Sequence, residues 1–106
     1  MSETTGPKLT ESRKGDLAEF YAVTWLWDQG YEVFQNSGCT GPVDMIAIDK
    51  NGKTILIDVK TKRRDKRYKS MKATAGGGRT KKQVELGVQI LAFDPRNRSL
   101  RFVKHK

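Results

Sequence analysis

Cysteine and histidine are almost absent from this sequence, which contains one of each, Cys39 and His105. A lone cysteine cannot form a disulfide within the chain. A cysteine–histidine catalytic pair is also disfavoured, because the histidine lies one residue from the end of the sequence. No apolar run has the length or flanks of a signal peptide or a membrane span. We therefore expect a cytoplasmic protein that does not associate with a membrane.

Acidic residues are scarce relative to basic ones, with 12 Asp and Glu against 21 Lys and Arg and a net charge of +9. Such a balance disfavours a cationic partner and favours a polyanion, since Lys and Arg that neutralise phosphates release counterions. Nucleic acid is therefore the expected partner. The length of 106 residues is enough for one core and not for two, so we expect a single compact domain.

Turn and cap signals divide the chain into short elements. Residues 1–11 are polar and predict a mobile tail, whereas residues 12–29 contain no proline and predict a helix with Ser12 as N-cap and Gly30 after its end. A single domain is expected over residues 12–106, with a basic, glycine-containing mobile loop near residues 62–80. The remaining segments predict a strand, a two-stranded hairpin, a two-turn helix with a capping box and a final hairpin: "YEVFQ", "VDMIAID", "TILIDVK", "TKKQVEL", "VQILAF" and "SLRFVK".

The first helix carries a glutamate in an unexpected place. On a helical wheel Glu19 lies between Val23 and Leu26, within the apolar arc that should face the core. A carboxylate there costs several kcal/mol unless it is paired, hydrogen-bonded or bound to a metal. The ordinary alternative is a half-exposed glutamate at the rim that reaches a lysine.

An aspartate and a lysine also interrupt the strand "TILIDVK", where Asp58 and Lys60 share one face with Leu56. Whether Asp44 of the preceding strand faces Asp58 depends on the turn. A two-residue turn would set Asp44 opposite Val59. A three-residue turn over 50–52, with its glycine in the left-handed position, would set Asp44 directly opposite Asp58.

Two facing carboxylates repel each other, so the second arrangement is unfavourable as a purely structural one. It becomes favourable when a divalent cation such as Mg²⁺ binds between them, and Lys60 beside the pair would help to stabilise charge on a phosphate. Each residue also has an ordinary explanation. Asp44 can cap the Gly-Pro turn, and Asp58 and Lys60 can form an ion pair at a strand end.

The segments "SRKGDLAEF", "GPVDMIAI" and "ILIDVKTKRR" resemble the PD-(D/E)XK nuclease superfamily, and within it the archaeal Holliday-junction resolvases, over residues 13–64. The resemblance implies an α/β fold with a restriction-endonuclease-like core, a mixed central sheet of about five strands flanked by helices. It also implies an Mg²⁺-dependent endonuclease, with Mn²⁺ as a substitute, that acts on DNA in recombination or repair. A homodimer encoded by a prokaryote, an archaeon or a phage is expected.

Carried over to this chain, the resemblance implies that Asp44 and Asp58 bind the metal, together with the backbone carbonyl of Val59, and that Lys60 assists attack on the phosphodiester. Glu19 would join the metal shell directly or through water. The resemblance and the basic composition together imply the following DNA-binding residues: Arg13, Lys14, Ser37, Lys62, Arg63, Arg64, Arg67, Tyr68, Lys69 and Arg79.

The chain also departs from the junction-resolvase pattern. Phe20 and Gln35 stand where such resolvases typically have basic residues, and a basic stretch with a short helix replaces their second long helix. Selectivity for branched DNA therefore does not follow from the shared core. Two other functions stay open: a non-catalytic basic module that binds nucleic acid, and a restriction-like or homing-type nuclease that recognises a sequence through loops and a dimer.

Overall fold

The structure is a computed structural model that describes residues 9–38, 40–62 and 78–104. Its elements follow the predicted order of one helix, three strands, a short helix and two strands. The bounds are α1 Glu11–Asp28, β1 Glu32–Gln35, β2 Met45–Ile48, β3 Thr54–Thr61, α2 Lys81–Leu86, β4 Gln89–Asp94 and β5 Ser99–Phe102. Neither helix within these ranges combines the length and the apolar character that crossing a membrane requires.

The helix α1 begins slightly before the predicted start. Its N-cap is Thr10, whose hydroxyl accepts a hydrogen bond from the N–H of Arg13 at 3.1 Å. The prediction of Ser12 as N-cap was therefore wrong, because Thr10 provides the same capping oxygen two residues earlier and Ser12 lies inside the first turn. The predicted tail accordingly stops before Thr10. Gly30 follows the helix with φ +94°, in the left-handed region that was predicted for it.

The five strands form one mixed sheet in the order β1-β2-β3-β4-β5. The pair β3 and β4 is parallel, and the other three pairs are antiparallel. The helix α1 covers one face of this sheet and forms the main core with it. The buried residues of that core are Ala22, Val23, Leu26, Met45, Ala47, Ile57 and Leu91. The predicted α/β architecture with a five-stranded mixed sheet is confirmed.

The turn between β2 and β3 has the three-residue form. The N–H of Asp49 donates to the carbonyl of Lys53 at 2.9 Å, and Gly52 has φ +86°. The carboxylate of Asp49 accepts hydrogen bonds from the N–H groups of Asn51 and Lys53 at 2.8 and 2.9 Å. Met45 and Ile57 are the last pair of this register, and Asp44 and Asp58 are the next residues beyond that pair.

The short helix α2 begins with the predicted capping box. Thr80 and Gln83 exchange hydrogen bonds of 3.1 and 3.0 Å between side chain and backbone. Gly87 ends the helix with φ +77°, in the left-handed region that glycine adopts without strain. The side chain of Gln83 is only 4% exposed and points toward the face of the sheet that α1 does not cover.

Candidate functional site

Asp44 and Asp58 face each other across β2 and β3. The N–H of Asp44 donates to the carbonyl of Ile57 at 2.8 Å, although Met45 is the register partner of Ile57, so the regular pairing ends with Asp44 and Met45 both opposite Ile57. A hydrogen bond joins the side chains of Asp44 and Asp58. Asp44 Oδ2 accepts a hydrogen bond of 2.7 Å from the N–H of Val59. The three-residue turn is the predicted one, the two carboxyl groups meet beyond the last regular pair of the hairpin, and a backbone N–H of β3 holds the carboxylate of Asp44 in place.

Asp58 is the more deeply buried of the two, with 7% exposure. Its Oδ2 accepts a hydrogen bond from Nε2 of Gln83 at 2.8 Å and lies 3.2 Å from Nζ of Lys60. The same amide of Gln83 donates to the carbonyl of Pro42 at 2.9 Å. Gln83 thus connects α2 to the end of β3 and to the loop before β2, and it fixes the orientation of Asp58.

The closeness of the two carboxylates changes the protonation of Asp44. Burial, a hydrogen bond with Asp58 and the charges of Asp58 and Glu19 together raise the pKa of Asp44 to about 7, against the lowering effect of the Val59 N–H. Near neutral pH one proton therefore holds the pair together. A bound proton reduces the repulsion between the two carboxylates, and a divalent cation bound between them would reduce it in the same way.

Lys60 follows two residues after Asp58 on the same face of β3. Its ammonium group pairs with Asp58, and 34% of the side chain remains exposed. The cation is therefore anchored at one carboxylate and is still accessible from solvent. A phosphate that approaches the pair of aspartates would meet this positive charge.

Glu19 lies near the aspartates but is carried by α1. It is half-buried among the core-facing residues Ala18, Ala22 and Val23, as its position on the wheel predicted. Burial raises its pKa, and the charges of Asp16 and Asp58 raise it further. None of the ion pairs among the described residues includes Glu19, so the alternative of a rim glutamate held by a lysine is not seen there.

The carboxylates do not form a three-membered metal-binding group. Across residues 9–38, 40–62 and 78–104, no three His, Cys, Asp or Glu side chains are arranged so that they could hold a metal ion. The donor set that fits a hard cation is the facing pair of Asp44 and Asp58. The coordination predicted for Glu19, direct or through water, and for the carbonyl of Val59 stays a prediction.

The loop before β2 is organised by Asn36. Its amide donates to the carbonyls of Thr40 and Val43 at 2.7 and 2.9 Å, and its Oδ1 accepts from the N–H of Gly38 at 2.8 Å. The N–H of Asn36 donates to the carbonyl of Asp44 at 2.9 Å. Ser37, the predicted DNA-binding residue of this loop, is exposed. The loop therefore reaches the site through the backbone of Asp44.

The predicted DNA-binding residues are only partly described. Arg13 and Lys14 are exposed in the first turn of α1, and Lys14 pairs with Glu11 at 3.3 Å. The ammonium group of Lys62 lies 3.9 Å from the carboxylate of Asp94. The guanidinium of Arg79 donates a hydrogen bond of 3.3 Å to the carbonyl of Val88, directly before β4. The others lie outside the described residues: Arg63, Arg64, Arg67, Tyr68 and Lys69.

Sequence reasoning missed the roles of Gln83 and Asn36. The sequence predicts a capping box at the start of "TKKQVEL", and this accounts only for Oε1 of Gln83, which accepts from the N–H of the N-cap Thr80. A glutamine in that role, unlike a glutamate, keeps an amide NH₂ group for other acceptors. The signal in the sequence was therefore a glutamine at the N3 position, where a glutamate would cap the helix equally well. For Asn36 the signal was an asparagine at the start of a loop containing Gly and Pro.

Comparisons with known proteins identify the fold and no family. No protein-family model matches the chain, and no curated protein matches it either. Among solved structures, the chain is similar to a bacterial homing endonuclease, I-Ssp6803I, with a TM-score of 0.62 and 16% sequence identity. The similarity covers 91% of this chain and 66% of that chain. The chain thus has the fold of a homing endonuclease over nearly its whole length and spans about two thirds of that protein.

Proposed function

We propose that this protein is a metal-dependent endonuclease that hydrolyses phosphodiester bonds of DNA. The observation that carries the proposal is the facing pair of Asp44 and Asp58, with Lys60 anchored on Asp58 at 3.2 Å. Buried facing carboxylates are costly in a structural role, because each disfavours the ionised form of the other. The fold shared with a homing endonuclease supports the same reaction class.

Asp44 and Asp58 would hold the divalent cation, with Mg²⁺ as the expected ion and Mn²⁺ as a substitute. When bound, such an ion makes a water molecule more acidic and neutralises charge on a phosphate. The N–H of Val59 and the amide of Gln83 each hold one carboxylate oxygen, so both aspartates are oriented before any ligand arrives. This preorganisation avoids a reorganisation cost during the reaction.

Lys60 supplies the fixed positive charge of the site. Its ammonium group lies against Asp58 and remains partly exposed, so it can contact a phosphate oxygen without first leaving the carboxylate. A cation placed there stabilises the negative charge that increases on the phosphate oxygens during attack. Glu19 adds a third negative charge near the pair and would strengthen the binding of a cation without displacing either aspartate.

The expected substrate is DNA, on the basis of the net charge of +9 and the exposed basic residues near the site. Preference for branched DNA, including Holliday junctions, and assembly as a homodimer come from the sequence resemblance and are proposed on that ground alone. Light scattering with and without DNA would test the dimer.

The decisive experiment incubates the purified chain with linear, nicked, flap and four-way DNA in Mg²⁺, in Mn²⁺ and in EDTA. We expect cleavage of at least one substrate in either metal and none in EDTA. Asp58→Ala should abolish it, and Lys53→Ala, directly before β3 and remote from the aspartates, should not. The proposal is wrong if none of these substrates is cleaved in a reaction that requires both the metal ion and Asp58.

A non-catalytic nucleic-acid-binding module is the second candidate. It is favoured by the observation that no third carboxylate completes a metal-binding group among the described residues. This function predicts DNA binding that falls steeply with salt and that neither Mg²⁺ nor Asp44→Asn changes. A Mg²⁺-dependent increase in affinity that is lost in Asp44→Asn would count against it.

A sequence-specific homing-type nuclease is the third candidate, because the similar solved structure is named as a homing endonuclease. Here the distinguishing observation is the substrate. Cleavage of a randomised linear duplex library at a defined sequence would favour this function, whereas cleavage that follows branch geometry would favour the junction-resolvase type. The two substrate classes can be compared in one reaction with different labels.

A further inference from the structure

The parallel pairing of β3 and β4 extends the face that carries Lys60 across two further strands. Lys60 pairs with Ala92 of β4, and Ala92 pairs with Arg101 of β5. Residues that pair directly across neighbouring strands point to the same face of a sheet. Lys60 and Arg101 are therefore in one cross-strand row, with their backbones about 10 Å apart because neighbouring strands are about 4.8 Å apart.

The residue between the two cations is small. Ala92 contributes a single methyl group, which packs with Ile90 and Val103. No bulky side chain of β4 therefore separates Lys60 from Arg101. One phosphate occurs for about every 3.4 Å of axis on a DNA strand, so a row about 10 Å long corresponds to two or three nucleotides.

Arg101 also differs from the other basic residues near this face, because it has no ion-pair partner among the described residues. Lys60 pairs with Asp58 and Lys62 with Asp94, whereas within the described part of the chain no carboxylate pairs with Arg101. Its side chain is exposed. Arg98, earlier in the same hairpin, already has a structural contact, because its guanidinium lies 5.3 Å from the ring centre of Tyr21. Arg101 is thus left as the uncompensated cation of the row.

We propose that Arg101 binds a backbone phosphate two or three nucleotides away, on the same DNA strand, from the phosphate that lies at Lys60. This inference rests on the proposed function, since it takes the facing aspartates as the place where the strand is cut. The strand would cross β3, β4 and β5 along the row formed by Lys60, Ala92 and Arg101. A guanidinium suits this role because its planar fork binds two phosphate oxygens at once, while Lys60 remains available to the phosphate under attack.

The test measures DNA affinity in EDTA, where no cleavage occurs, as a function of salt. We expect Arg101→Gln to lower the slope of log affinity against log salt by about 0.9, the value for one lost phosphate contact. Lys53→Gln removes the same charge directly before the start of β3, remote from Lys60, and should leave the slope unchanged. Arg101→Lys keeps the charge, so it should retain the slope with weaker binding, which also controls for folding.

The outcomes separate this inference from the proposed function. An unchanged slope in Arg101→Gln, an equal decrease in Lys53→Gln or the absence of DNA binding would overturn the role of Arg101. A decreased slope only in Arg101→Gln supports it, even where the chain cleaves no DNA. The proposed function fails independently, through a lack of metal-dependent cleavage by the wild-type chain.

Discussion

Two lysine–aspartate pairs lie near the carboxyl end of β3, and they differ in the surroundings of the aspartate. Lys60 contacts Asp58 at 3.2 Å, and Lys62 contacts Asp94 at 3.9 Å. Lysine–aspartate pairs at a protein surface contribute little and occur widely. Proximity of a lysine to an aspartate therefore does not by itself make a site.

The difference lies in the second carboxylate and in burial. Asp58 is buried, faces Asp44 and is held by the amide of Gln83. Asp94 begins the β4–β5 turn, where its Oδ1 accepts a hydrogen bond of 3.0 Å from the N–H of Arg96. Asp94 thus has a turn-forming role that explains its presence. Asp58 forms no turn hydrogen bond of this kind within the described residues, and under the proposed function it is a ligand of the metal ion.

The largest expected effect comes from exchanging these aspartates for asparagine. Asp58→Asn should lower the DNA cleavage rate by at least about 10²-fold, because a charged group that organises the site is lost. Asp94→Asn is the matched control and should leave the rate within about twofold. Single-turnover cleavage in Mg²⁺ measures both. Equal losses of cleavage rate in the two variants would mean that Asp58 has no catalytic role that Asp94 lacks.

A smaller effect should separate the two roles of Gln83. Gln83→Glu keeps an oxygen that caps the N–H of Thr80 but loses the donor to Asp58, so cleavage should fall by about 10–100-fold, as for other residues that orient ligands. Thr80→Ala removes the cap and keeps that donor, so it should cost about 1 kcal/mol of unfolding free energy with little change in cleavage. Thermal unfolding and cleavage rates are measured on both. Loss of cleavage in Thr80→Ala and not in Gln83→Glu would reverse the assignment.

The raised pKa of Asp44 predicts a pH dependence of the free energy of unfolding. The folded state binds the Asp44 proton more tightly than the unfolded state, whose carboxyl has the ordinary pKa of 3.8. The stabilisation is therefore complete below pH 4 and is lost as the pH rises to about 7. In EDTA the Tm of the wild-type chain should fall relative to that of Asp44→Asn across this window.

The same pair of proteins also tests the metal. Above pH 7, added Mg²⁺ should raise the Tm of the wild-type chain more than that of Asp44→Asn, since a ligand that binds only the folded state stabilises it. A wild-type Tm that rises relative to the variant between pH 4 and 7 would contradict the raised pKa. An equal response to Mg²⁺ would show that Asp44 is not a ligand.

The smallest expected effect concerns the turn that sets the register. Gly52 has φ +86° and open space where a Cβ would stand, so Gly52→Ala should cost about 1–2 kcal/mol through backbone strain alone. Gly15 also has open space but lies inside α1, where alanine should instead stabilise by about 0.5–1 kcal/mol. Denaturant unfolding measures both. Effects of the same sign would contradict the role assigned to the left-handed glycine.

Much of the fold and part of the site could be predicted from the sequence. The element order, the capping box of α2 and the positive φ of Gly30, Gly52 and Gly87 all follow from local turn and cap chemistry. The facing of Asp44 and Asp58 could be stated only as one of two alternatives, because a shift of one residue in the turn sends a side chain to the other face. The start of α1 was misplaced because Thr10 and Ser12 are both good caps.

By itself, the sequence determined which segments become strands and helices, because side-chain periodicity, caps and turn residues act over a few neighbours. Only the tertiary structure decided that Gln83 holds Asp58 and that Lys60, Ala92 and Arg101 share a row. Gln83 and Asp58 are distant in sequence, and the row depends on a parallel pairing between strands that no turn connects directly. The pKa of Asp44 is decided in the same way, since burial and the approach of Asp58 exist only in the packed chain.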